Sequence, residues 1–105
     1  MEKTLLVGGN EIRLKSHGAI PLLYKMNFGK DFFAEIAKMN VTEKNIGNMD
    51  MEVFYNLVFL FAKTADKSLP PTPIEWLETF EEFPIMDVLP DITEMIVKLI
   101  NTKKK

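Results

Sequence analysis

Three groupings in this sequence are of types that could do chemistry: a lone histidine, a glycine pair and a run of glutamates. His17, within Ser16-His17-Gly18, is the one imidazole in the chain. A general base needs a reacting group or an orienting acid beside it. The neighbouring sequence offers none, so His17 reads as a turn histidine. Gly8-Gly9 lacks the GxxxxGK(S/T) pattern of a phosphate loop and does not open directly into a helix. Glu75, Glu78, Glu81 and Glu82 could in principle pair as carboxylates or hold a cation. Spread over successive turns of an expected surface helix, they read instead as a solvated face. There is no cysteine, which excludes thiolate catalysis, disulfides and Cys-ligated zinc. The residue types therefore predict a protein that is not an enzyme and needs no cofactor or metal.

The totals bound the fold. At 105 residues the chain suits a single domain over 1–105 that can bury a core without staples. A hydrophobic share of 47% against 27% charged is the balance of a globular protein rather than a disordered one. A formal charge of −2 argues against nonspecific attachment to nucleic acid or anionic lipid. The longest apolar run, Leu57 to Ala62, is far shorter than the roughly 20 residues of a membrane span. Met1-Glu2-Lys3 and the few apolar residues before Gly8 do not have the form of a signal peptide. The expected location is the cytoplasm.

Local signals then set the elements. Thr4–Val7 and Glu11–Lys15 are β-favouring and flank Gly8-Gly9-Asn10, whose residues tolerate the positive φ of a tight turn. A hairpin over about 3–15 follows, with Ile12 and Leu14 on its apolar face. Helices are expected at about 20–28, 30–39, 50–66, 73–82 and 90–102. Pro21 fits a first helical turn, and Gly29 sits at that helix's end. Asn40 to Met49 reads as a polar connection with one helical turn at most. Thr72-Pro73-Ile74-Glu75 is a capping box, and Trp76 behind it should fold back to close the core. Pro90 is expected to open the last helix, which ends in the basic tail Lys103-Lys104-Lys105. The fold class is mainly α (α+β): an N-terminal hairpin and about five helices around one central helix.

That central helix is Asp50 to Asp66. Val53, Phe54, Leu57, Val58, Leu60, Phe61 and Ala62 cover most of its circumference, which demands cover on several sides. Glu52, Asn56 and Lys63 fall on one narrow stripe with Phe59 beside them. These four are the candidate partner-binding residues, with Phe59 as an exposed anchor. The competing reading is that the Trp76 helix or the last helix covers Phe59.

Charge is segregated along the chain. Ser68 to Val97 holds seven carboxylates and no lysine or arginine, while residues 1–38 lean basic. Either the two zones pair within one molecule, or they join copies of it acidic face to basic face. Together with the hairpin edges, this predicts a homo-oligomer.

Two stretches resemble a known family. Leu14-Lys15-Ser16, Ile20-Pro21-Leu22-Leu23-Tyr24-Lys25 and Phe28-Gly29-Lys30-Asp31-Phe32-Phe33 are similar to the N-terminal signature of tail assembly chaperones, from long-tailed phages and prophages of Gram-positive bacteria. Ala65-Asp66-Lys67-Ser68-Leu69-Pro70-Pro71 followed by Ile74-Glu75-Trp76-Leu77 resembles the segment after that family's central helix. The resemblance implies a small, mostly helical, non-enzymatic protein of the host cytoplasm. It would bind the tape measure protein, bring tail tube protein to it, and work as an oligomer. It implies no catalytic residues. Many relatives extend by a ribosomal frameshift, for which the adenine-rich codons of Lys103-Lys104-Lys105 would be a slippery site. The alternative class is a small helical regulatory or nucleic-acid-binding protein. It would need a helix carrying several basic side chains, and none of the expected helices does.

Overall fold

The computed structural model describes residues 1–39 and 50–100. The polar connection 40–49 and the tail Lys103-Lys104-Lys105 lie outside the described residues. The chain opens with strands β1 (Glu2–Val7) and β2 (Asn10–Lys15), paired antiparallel with Val7 opposite Asn10. The turn is therefore Gly8-Gly9 alone, with φ of 56° and 84°. Positive φ at both central residues is what a primed hairpin turn requires. Asn10, expected in the turn, belongs to β2. Val7, Ile12 and Leu14 point into the core, while Thr4, Leu6, Glu11 and Arg13 face out. A Cβ on Gly8 would collide with the carbonyl oxygen of Glu82, so this turn is seated against a distant part of the chain.

Five helices follow: α1 (Ile20–Phe28), α2 (Phe32–Met39), α3 (Met51–Ala65), α4 (Pro73–Leu77) and α5 (Ile85–Ile100). The fold is mainly α in an α+β arrangement, with hairpin and helices gathered around α3. Each early boundary has a local cause. Pro21 occupies the first turn of α1, and Gly29 ends it at φ 71°, donating its N–H to the Lys25 carbonyl. Asp31 accepts from the Ala34 N–H at 2.9 Å, which caps α2 and starts it two residues later than expected. Asp50 accepts from Glu52 and Val53 N–H and caps α3 as the sequence predicts.

The later helices depart from expectation. Thr72 accepts the Glu75 N–H at 3.2 Å, but its hydroxyl also donates to the Glu75 carboxylate at 2.9 Å. The cap is thus a side-chain pair rather than a carboxylate reaching the Thr72 N–H. Helix α4 stops at Leu77 instead of 82. Thr79 donates to the Trp76 carbonyl, and the chain turns so that Phe80 and Phe83 both fold onto the Trp76 ring, at 5.1 and 5.8 Å between centroids. Edge-to-face contact of three rings outweighs another helical turn.

Helix α5 starts at Ile85, and Pro90 lies inside it rather than opening it. Val88 and Leu89 are buried, so the apolar face begins before the proline. Pro90 itself is exposed, and the bond it forgoes would have gone to the carbonyl of Met86, in the exposed first turn where water can reach it.

Candidate partner-binding groove

Two of the side chains singled out for chemistry, His17 and Glu75, are occupied with structure. His17 accepts the Ala19 N–H through Nδ1 at 3.1 Å, which fixes the turn before α1. Glu75 is held by Thr72, and Glu78, Glu81 and Glu82 are exposed around the turn after α4. Among the described residues, no three His, Asp or Glu side chains come together as metal ligands would.

One polar cluster escaped the sequence reading. The Tyr24 hydroxyl donates to Glu35 Oε1 at 3.2 Å, and Lys38 meets Glu35 Oε2 at 3.0 Å. Tyr24 and Glu35 are both buried, joining α1 to α2. Burial pushes the Tyr24 phenol up to about 12; Asn56 on α3 opposes that rise and Glu35 adds to it. Glu35 and Lys38 have the spacing of an ordinary surface pair, so nothing local announces a buried carboxylate. Every buried side-chain N or O among the described residues has a partner. The cluster is a satisfied joint between three helices.

The expected stripe on α3 does not survive as a unit. Phe59 is 2% exposed and lies 6.1 Å from the Trp76 ring, so the exposed anchor is a core residue. The reason is tertiary: α4 lays Trp76 over the line that the wheel leaves open. Lys63 donates to the carbonyls of Lys67 and Leu69, closing the turn after α3. Asn56 is buried, while Glu52 is exposed with its carboxylate 3.8 Å from Lys30.

Glu52 and Asn56 nevertheless share a site. They line an open groove of about 340 Å³ between the end of α1, the first half of α3, and α4. Its walls are Phe28, Tyr55, Ile74 and Leu77, with Lys30 at the rim. Ile74 is 69% exposed on its lip, an unusual setting for a large aliphatic side chain. The elements explain the shape. Gly29 turns the chain away at the end of α1, and Pro70-Pro71 holds α4 off α3 until Trp76.

A second cleft, about 380 Å³, lies between β2, the end of α3 and α4, over Ile12, Leu69, Trp76 and Phe80. Arg13, Asp66 and Thr79 among its polar residues are already engaged. Arg13 donates to the Ala65 carbonyl at 3.1 Å. Asp66 accepts from the Ser68 hydroxyl and N–H, which hold its carboxyl below the usual range.

The charge zones meet in part within one molecule. Lys3 on β1 reaches Asp91 at 2.8 Å and Glu94 at 2.5 Å on α5, and those two carboxylates raise its pKa. No helix among the described residues is long and apolar enough to cross a membrane.

Comparison with family models, with curated proteins and with solved structures finds no match. What the chain does must therefore be read from its own surfaces. Those surfaces are marked by large apolar side chains outside the core: Leu22, Met26, Phe33, Ile74, Met86 and Val97 among them.

Proposed function

We propose that this protein is a non-enzymatic tail assembly chaperone that binds a tape measure protein and assists tail tube assembly in the bacterial cytoplasm, working as a homo-oligomer. The observation that carries the reading is apolar surface left outside a core that is already closed. A chaperone for a long, helix-prone partner needs such surface, because an amphipathic helix docks by laying its apolar face into a groove. The groove beneath Ile74 has an apolar floor and the Lys30–Glu52 pair at its rim, which suits a helix with mixed charges beside its apolar stripe. The resemblance of Ile20–Lys25, Phe28–Phe33, Ala65–Pro71 and Ile74–Leu77 to that family's segments adds support, since those segments supply Phe28, Lys30, Ile74 and Leu77 to this groove.

Purified chain mixed with helical segments of a tape measure protein from the same genome tests the reading. Co-elution that Ile74→Glu abolishes, with the fold unchanged, is the expected result. Segments covering the whole tape measure protein that all fail to bind would overturn it. A salt-dependent shift of duplex DNA in the same preparation would favour a nucleic-acid-binding protein instead.

A further inference from the structure

The free edge of β2 borders an open cleft. Met1 and Ser16 exchange both backbone hydrogen bonds, at 3.0 and 2.9 Å. Such pairs alternate along an antiparallel ladder, so Lys3–Leu14, Leu5–Ile12 and Val7–Asn10 are the other bonded pairs in this register. Glu11 and Arg13 fall between them and aim their backbone N–H and C=O groups away from β1. Those groups have no partner among the described residues. The cleft of about 380 Å³ lies along this edge, because consecutive residues from both faces of β2, Asn10 to Arg13, line it and no residue of β1 does. The cleft is also polarised. Gly8 is seated on Glu82, so the turn carrying Glu78, Glu81 and Glu82 lies toward the Glu11 end. None of these four carboxylates has an ion-pair partner among the described residues. At the other end, where Arg13 reaches Ala65, the cations Arg13, Lys63 and Lys67 stand against one carboxylate, Asp66. Lys15, the next outward residue of β2, is beside Glu2.

We infer that this edge takes an extended segment of another protein as a third, antiparallel strand, with an acidic, an apolar and a basic residue opposite Arg13, Ile12 and Glu11. The acidic and basic residues exchange backbone hydrogen bonds with Arg13 and Glu11 and set opposite charges beside their side chains. The apolar residue between them turns inward beside Ile12, onto Trp76. Backbone pairing supplies affinity in strand addition, and the alternate side chains supply selection. The wall across from β2, formed by Leu69, Thr79 and Phe80, admits a lone strand and stands in the way of a second folded copy. This site is separate from the Ile74 groove and does not depend on the tail-assembly reading.

Residue-by-residue amide hydrogen exchange on the full chain, with the end-blocked peptide Val-Glu-Val-Lys-Val as probe, tests the inference. In the free chain the Glu11 and Arg13 amides should exchange readily while those of Ile12 and Leu14 are protected. Peptide at about 1 mM should slow Glu11 and Arg13 about twofold or more. Methylating the backbone nitrogens of the peptide's Glu and Lys should abolish the effect. Methylating the central Val nitrogen should not, because it faces away from the edge. Glu11→Pro deletes one edge N–H where an edge strand tolerates proline, and should weaken binding at least about tenfold. Glu11→Gln keeps that N–H and should cost only about two- to fivefold. Unchanged Trp76 emission shows that both variants are folded, and the methylated peptides decide on the wild-type chain if Glu11→Pro does not fold. Edge amides already protected in dilute free chain would overturn the inference, as would protection that rises only with chain concentration, which puts a second copy on the edge. Equal loss from methylation at all three nitrogens, equal binding of the charge-reversed Val-Lys-Val-Glu-Val, or no slowing by Val-Glu-Val-Lys-Val would overturn it too.

Discussion

Helices α3 and α5 are of similar length and similarly apolar, yet the molecule treats them in opposite ways. Around α3 every large apolar side chain from Val53 to Phe61 except Tyr55 is buried, Phe59 included. Helix α5 buries one face and leaves Met86, Val97 and Ile100 in water. Periodicity tells which side chains are apolar. It does not tell whether a neighbour arrives to cover them. For α3 the neighbours are β2, α1, α2 and α4; for α5 they stop at one side. Apolar surface that the fold does not use is where a second molecule gains most.

The sharpest way to break this contrast is to treat the two helices alike. Phe59→Ala should cost about 3–5 kcal/mol of stability, the range for a large aromatic removed from a core. Val97→Lys should stay within about 0.5 kcal/mol, as exposed substitutions do. Chemical denaturation of both variants checks the pair, and equal losses would erase the distinction.

Next in size is the Tyr24 joint that fixes α1 and α2 to α3. Its phenol titrates near 12 in the folded protein against 10.0 when free. A pKa raised by folding contributes stability that is complete below the unfolded value and lost as pH rises through the folded one. The protein should therefore lose stability across about pH 10 to 12. Tyr24→Phe should flatten that part of the profile. Stability measured across that window in both proteins tests it.

A smaller effect belongs to the cap of α4, which holds Trp76 over Phe59. Thr72→Ala should cost about 1 kcal/mol and shift Trp76 emission to longer wavelength only on unfolding, because the aromatic contacts of Phe59, Phe80 and Phe83 remain. The smallest change in stability is expected for Ile74→Glu, within about 0.5 kcal/mol. Its whole effect should fall on partner binding, which calorimetry with a tape measure segment would read.

How much of this was legible depends on distance along the chain. The Gly8-Gly9 turn, Pro21, Gly29 and Asp50 act within a few residues, and each does in the structure what its type implies. The larger departures come from packing rather than from local signals. Phe80 and Phe83 leave the helical path for Trp76, and Pro90 is carried inside α5 because Val88 and Leu89 are needed beneath it. The wheel gives the direction in which Phe59 projects, but the ring that meets it comes from beyond a proline-stiffened connector. Glu35 carries no local mark of burial at all. Of the candidate stripe, Glu52 and Asn56 reach the groove; Phe59 and Lys63 serve the fold.

The seat of Gly8 against the Glu82 carbonyl also bears on the order of events at the ribosome. The hairpin leaves the ribosome before the helices that follow it, and a two-stranded hairpin alone is marginal in water. Its turn meets its seat, and Lys3 meets Asp91 and Glu94, only when most of the described chain has left the exit tunnel. Until α3 has emerged to meet β2, the hairpin's apolar face has no cover. The hairpin is thus made before the helices and fully secured only after them, and a pause in translation before Glu82 would lengthen the time its turn spends without its seat.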